Sequence, residues 1–345
     1  VLTIMKKTFN RRGFIITAST AAGLGFLYSF SKTESAANTR AGNRIGIIGL
    51  DTSHSVAFAK ALNTAESAPE FNGFKIVAAY PKGSNDIESS AKRIPGYTEE
   101  VKKLGVEIVG SIQELLTKVD FVLLETNDGR PHLEQALLVL KAGKPMFIDK
   151  PVAGSLSDTI AIYDAAKKFN VPIFSSSSLR YMETVQEVVN GKIGKVLGAD
   201  SFSPATIEKT HPDLFWYGIH GVEILFTIMG TGCKQVTRTH NNDTDIVVGE
   251  WNDGRIGTFR GTRTGKHEYG GTAYGEQGNL VLGPFKGYDN LLIQIINFFK
   301  SGKPPVTSEE TLEIYAFMEA ADESKRNHGM PISLSAVIQK ASKKK

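Results

Sequence analysis

The sequence predicts an α/β chain with two parts. A parallel sheet covered by helices on both faces comes first, and an α+β unit with a large, open, mainly antiparallel sheet follows. Three observations carry this. From Arg44 to about Phe174, short apolar runs alternate with helical stretches. Those runs are uninterrupted rather than alternating, as in strands buried on both faces. Beyond Phe174 the chain changes to short strands joined by Asn-Asp-Gly and Gly-rich turns, which are antiparallel in character. A length of 345 residues suits two domains or one large one.

The elements follow in order. "RIGIIGL" reads as the first strand, and a helix runs from His54 to about Ser67. "FKIVAAY" is the second strand. "SIQELLTKV" is a short helix capped by Ser111, with Glu114 at its third position. "VDFVLLET" is a third strand, "RPHLEQALLVLKAGK" a helix closed at Gly143, and "PMFIDK" a fourth strand. A helix opened by Ser155 or Ser157 leads to "VPIFSSS", the fifth. In the second part, "RYMETVQEVVNGKIG" is a helix ending at Gly191 and "KVLGADSFSP" a strand. Leu214 to Gly230 reads as one helix with a broad apolar surface. The turn-rich strands come next, then a helix over Tyr288–Phe299 and another capped by Ser308 that ends before Gly329.

The first forty residues differ from the rest. "KKTFNRRGF" is basic, Phe14 to Phe30 is mildly apolar, and "SKTESAANTRAG" is polar. That is the order of an export signal, and Arg11-Arg12 before Gly13-Phe14 resembles a bacterial twin-arginine leader. The apolar run is short for a membrane span and contains Gly, Ser and Thr, so the mature chain is expected to hold no stable span. Residues 1–41 carry six cations against Glu34, a net of +5, whereas the whole chain is +4. The remainder is near −1, which leaves no basic patch to argue for nucleic acid. A single cysteine, Cys233, offers no internal disulfide and no thiolate metal site.

The first turn, "GLDTSHS", is the place where a dinucleotide fold meets the cofactor's phosphates. Gly49 suits the tight turn. Asp51 stands where a second glycine is usual, and His54 where a third is. Asp51, Thr52 and Ser53 either cap the helix or, in the case of the two hydroxyls, meet a phosphate. The second strand ends without the acid that takes the ribose hydroxyls of NAD; Lys82 and Ser84 lie nearby and would suit the extra phosphate of NADP. His211 and Asp213 precede His220 at a spacing that fits no standard ligand set, and no metal is assigned.

"HLEQALLVLKAGKPMFIDKP", "GIHGVEILFTIMG" and "PPVTSEETLEIYAFMEAADESKRNHG" carry a resemblance. The chain from about Arg44 onward resembles oxidoreductases of the glucose–fructose oxidoreductase / inositol dehydrogenase type. With the export segment and linker read over 1–41, the resemblance implies a Rossmann-type dinucleotide domain over 42–175 and a substrate and oligomerisation domain over 176–345. It implies NAD or NADP as cofactor, a sugar, cyclitol or other polyol as substrate, and a homodimer or homotetramer. By it, Lys150 and His220 are the catalytic pair. By it too, Thr126, Asn127 and His132 are cofactor contacts and Arg180 faces the substrate; the turn residues Gly49, Thr52, Ser53 and His54, with Lys82, are read as further cofactor contacts, and Trp216 and Tyr217 as an apolar floor for a sugar ring. Trp216 occupies a position where the family usually has an acid partnering the histidine. Three activities stay open: an exported oxidoreductase, a redox-neutral hydrolase or lyase that borrows the cofactor, and a non-catalytic binding protein on the same fold.

Overall fold

A computed structural model describes residues 42–64 and 67–343. The expected leader lies outside them. Among the described residues no helix is long and apolar enough to cross a membrane.

The first half contains β1 (Arg44–Ile48), α1 (Ser53–Asn63), β2 (Lys75–Tyr80), α2 (Glu88–Ala91), α3 (Ile94–Lys103), β3 (Glu107–Ile108), α4 (Ile112–Lys118), β4 (Phe121–Leu124), α5 (His132–Lys141), β5 (Met146–Ile148), α6 (Leu156–Phe169) and β6 (Ile173–Ser175). The six strands form one parallel sheet in the order β3-β2-β1-β4-β5-β6. The order reverses at β1, so its end and that of β4 bound the crevice where such sheets take ligands. The sequence showed five of these strands. β3 is two residues long at the sheet edge, too short to carry a period.

Caps fix several boundaries. Ser111 accepts a hydrogen bond from the Glu114 amide, and Glu114 reaches back to the Gly110 amide, so α4 starts where its sequence predicts. Ser155, not Ser157, caps α6 by accepting from the Asp158 amide.

The second half contains α7 (Glu183–Val189), β7 (Val196–Pro204), α8 (Ile219–Met229), β8 (Cys233–His240), β9 (Thr244–Trp251), β10 (Ile256–Thr262), β11 (Gly270–Gly275), β12 (Gly278–Leu282), α9 (Asp289–Ser301), α10 (Ser308–Arg326), β13 (Ile332–Ser333) and α11 (Leu334–Ser342). Its seven strands run β12-β11-β7-β10-β9-β8-β13. All pairs are antiparallel except β7 with β10. Gly221 lets α8 lie against the sheet, because a methyl there would come within 2.4 Å of the Phe259 ring.

Two expectations are corrected here, and two elements are added. α8 begins at Ile219, and Leu214–Gly218 form turns instead of a first helical stretch. Thr307, not Ser308, caps α10. The closing strand β13 and helix α11 were not foreseen. The two halves share packing: α9 lays Phe299 on Phe121 and Phe74, with the Phe121 and Phe299 rings 4.6 Å apart. Each such buried ring contributes on the order of 1.5–3 kcal/mol, which anchors the second half to the first.

Candidate active site

The site is built from the carboxyl ends of β1, β4 and β5 together with the chain just before and within α8. A cavity of about 120 Å³ opens there. Thr52, Ser53, His54, Asn127 and Lys150 line one side, and Trp216, Tyr217 and His220 another. The expected catalytic pair therefore shares one cavity.

The first turn answers the question that its missing glycines raise. Gly49 has φ +92°, and a β-carbon on it would come within 2.5 Å of the Thr126 amide nitrogen. Only glycine fits that close approach. Asp51 is fully buried and turned away from the cavity. Its carboxylate accepts hydrogen bonds from the Ser84 amide at 2.8 Å and the Asn127 amide at 2.9 Å, which ties the loops after β2 and β4 to the loop after β1. It does not cap α1, and Thr52, at the N-cap position, makes no side-chain cap bond either. The first turn of α1 carries no acidic residue. Its amides and the Thr52 and Ser53 hydroxyls are what a phosphate would meet.

His54, at the third glycine's position, points at the strand ends. Its Nδ1 lies 2.9 Å from Asp149 Oδ2 and 4.0 Å from Glu125 Oε2. Burial and the Asp149 charge hold the Glu125 carboxyl well above its ordinary range. Burial would raise Asp149 too, but the adjacent His54, with Lys150, keeps it below its ordinary value.

Lys150 is the second residue after β5, and its ammonium lies 5.5 Å from the Tyr217 ring centroid. His220 stands in the first turn of α8. Its Nδ1 is 2.7 Å from Ser177 Oγ, which also accepts the Leu179 amide. Ser177 thus partners the imidazole where an acid was wanting. Burial, reinforced by the charge of Lys150, pushes His220 well below its usual pKa, so the ring is neutral near pH 7. Trp216 is not one helical turn from His220, because the helix has not begun there; its indole packs on His211 at 5.1 Å.

Other expected residues are committed elsewhere. The His132 ring is held between the Val152 and Thr126 carbonyls, so it braces the loops. Arg180 is buried on Glu223 and Glu310 and does not line the cavity. Glu223 also accepts from the Ser176 hydroxyl and the Ser177 amide, a structural role. Lys82 is exposed and outside the cavity lining. Thr126 is buried under Gly49, with its hydroxyl unpartnered. Asn127 lines the cavity while its side chain donates to Ser90. Asp213 pairs with Arg238 and Lys325, away from His211, which sits against Asp128.

Sequence reasoning missed much of the wall. Ser89 and Arg93 arrive from α2 and the residue before α3, Tyr269 from just before β11, and Phe285 and Tyr288 from the loop before α9. Tyr288 sets its ring 4.3 Å from that of His54, edge on. Nothing local in the sequence marks these positions, since only tertiary folding brings them to the strand ends.

The crevice at the reversal point, the glycine turn and the open helix N-terminus define a two-domain protein with a Rossmann-type nucleotide-binding domain. Residues 43–176 match the GFO/IDH/MocA model, described as an oxidoreductase family with an NAD-binding Rossmann fold. NAD is accordingly the cofactor class of the domain. An uncharacterized oxidoreductase of Streptococcus pneumoniae serotype 4 is 26% identical over 185 residues, which is 48% of this chain and 50% of that protein. The chain thus matches half the length of this curated relative. Among solved structures, a probable dehydrogenase of Thermotoga maritima superposes with a TM-score of 0.69 at 22% identity, covering 85% of this chain and 99% of the other. A scyllo-inositol dehydrogenase of Lactobacillus casei, solved with NAD(H) and scyllo-inositol, gives 0.66 at 18% identity over 85% and 99%. At these identities the superpositions speak for the fold of the whole described chain.

Proposed function

We propose that the protein is an NAD(P)-dependent oxidoreductase acting on a sugar, cyclitol or related polyol, exported by the twin-arginine route. The observation that carries the reading is that Lys150 and His220 come from different halves of the chain and line one cavity, beside the open N-terminus of α1. The family match and the inositol dehydrogenase among the similar structures support the cofactor and the substrate class.

A bound nicotinamide ring would supply the site that accepts or donates hydride. Gly49, Thr52, Ser53 and Asn127 would hold the dinucleotide, and Arg93 at the cavity wall offers an additional cation for its phosphates. Lys150 is the cation that orients a substrate oxygen. His220 handles the hydroxyl proton. Being neutral, it needs no prior deprotonation. The Ser177 hydroxyl can donate to Nδ1 or accept from it, so the second ring nitrogen can be presented as donor or as acceptor. Tyr217 and Trp216 give the apolar floor on which the face of a polyol ring would rest. Phe202, Ile256, Tyr274 and Val281 are exposed on the second sheet and supply the apolar surface for self-association into a dimer or tetramer.

The test is release of bound nucleotide, by heat, from protein purified from a host with working export, followed by titration with NAD and NADP. The expected result is nicotinamide nucleotide on the protein or saturable binding on addition; neither would overturn the reading and leave a non-catalytic binding protein. With cofactor present and a polyol screen completed, Lys150→Ala and His220→Ala should each lower turnover by about 10²–10⁴-fold while the melting temperature holds. An unchanged rate removes that residue. Export is tested by fractionation, with Arg11→Lys/Arg12→Lys expected to retain the protein inside the cell.

A further inference from the structure

Behind the side of the cavity lined by His54 and Lys150 lies a group of ionisable side chains that the proposed hydride chemistry does not use. Glu125 directly follows β4 and Asp149 directly follows β5, and the parallel ladder continues to both. The Glu125 amide donates to the Ile48 carbonyl, and the Asp149 amide to the Leu124 carbonyl. Their positions are thus set by the sheet itself. His54 reaches the same point from the first turn of α1. One donor atom from each of the three residues falls within 4.8 Å of the others, and all three residues are buried.

A second observation marks this as more than a meeting of acids. Glu125 is 0% exposed, and neither of its carboxylate oxygens has a hydrogen-bond partner. His54 Nδ1 and Asp149 Oδ2 lie close together yet also lack a well-directed hydrogen bond. Among the described residues no lysine or arginine nitrogen forms an ion pair with either carboxylate; Lys150, the nearest cation in sequence, sits over the Tyr217 ring. Buried polar groups are almost always satisfied, and a set of orphaned donor atoms facing one point is the pattern that a cation completes.

We propose that His54 Nδ1, Glu125 Oε2 and Asp149 Oδ2 form a buried site for one divalent transition-metal ion, Zn²⁺ or Mn²⁺, behind the His54 side of the cavity. The charges balance: two carboxylates meet a dication, with a neutral imidazole as third ligand. The distances suit it. Bonds of about 2.0–2.2 Å in a tetrahedral arrangement set ligand atoms roughly 3.3–3.6 Å apart. The observed separations of 2.9 Å and 4.0 Å lie on either side of that spacing. His54 also lines the cavity, so the ion would stand close under any bound ligand. The proposal is independent of whether a dinucleotide binds above.

The experiment strips the protein with EDTA and titrates it with ZnCl₂ or MnCl₂ by calorimetry, with melting temperature as a second readout. One equivalent per chain and a metal-dependent rise in melting temperature are expected. Glu125→Gln, which keeps the side-chain shape, and His54→Ala should each weaken binding by about 100-fold or more. His240→Ala, at an exposed histidine, should leave it unchanged. Absence of saturable binding to the wild-type chain, undiminished binding in a folded Glu125→Gln variant, or loss in His240→Ala would each overturn the site. The wild-type titration decides the question even where a variant does not fold.

Discussion

The second sheet and the crevice each bury a cluster of charge, and the two are finished differently. On β8, Arg238 is 1% exposed, and its guanidinium pairs with Asp245, Asp213 and Asp322. Arg263 and Lys325 complete the set around Asp245 and Asp213. In the crevice, His54, Glu125 and Asp149 are equally buried, yet four of their donor and acceptor atoms are orphaned. A cluster that only holds a fold closes on itself, because each unpaired buried charge is costly. One that leaves donors facing a common point has room for a ligand. The contrast separates architecture from chemistry without appeal to any relative.

The strongest way to break the comparison is at Arg238. Arg238→Ala leaves three carboxylates gathered with too few partners, and should cost about 3–5 kcal/mol in denaturant unfolding. A loss near zero would mean that the closed cluster is not holding the sheet. Next comes Gly83, beside the crevice. A β-carbon there would stand 2.2 Å from Asp51 Oδ2. Gly83→Ala should therefore displace the carboxylate from the Ser84 and Asn127 amides and cost about 1–3 kcal/mol. An unaltered melting curve would show that the Asp51 tie is dispensable.

A smaller, pH-dependent effect belongs to Asp128. Burial works against its charge, but His211 and Arg130 outweigh burial and hold the carboxyl well below its usual range. Its folded pKa is lower than its unfolded one, near 4. Its contribution is therefore full above that value and is lost as pH falls below it toward the folded pKa. Melting temperatures followed from about pH 6 down to about pH 3 should decline less steeply in Asp128→Asn than in the wild type. Parallel declines would remove Asp128 from the account. The smallest effect is expected of Glu125→Gln in metal-free protein. Its carboxylate has no bonded partner to lose, so stability should stay within about 1 kcal/mol. A loss of several would place Glu125 in a bonded network like that of Arg238, and the contrast would fall.

Legibility in the sequence followed the range of the interactions. The strand at Arg44–Ile48 and the cap at Ser111 could be read, and the cap of α6 narrowed to Ser155 or Ser157, because their causes lie within a few residues. The start of α8 could not. The apolar run from Leu214 continues without a local stop, and only the packing of Trp216 on His211 shows that the chain still turns there. At the site, Lys150 and His220 were recovered by resemblance. The partner of His220 was not, since Ser177 is 43 residues away and looks like any loop serine. His54 read as an awkward substitute for glycine. Its meaning depends on Glu125 and Asp149, whose side chains meet it only once β4 and β5 are laid beside β1.

Asp51 gives the first turn an anion of its own. The amides of Ser84 and Asn127 are already engaged by a covalently attached carboxylate, so three loops keep one shape whether or not anything is bound above them. A ligand entering this crevice has less loop freedom to quench, which favours tight retention over rapid exchange. Under the export proposed above, in which the nucleotide would travel with the protein, retention is the property that matters, and it would be written into the loop that looks least like a nucleotide site.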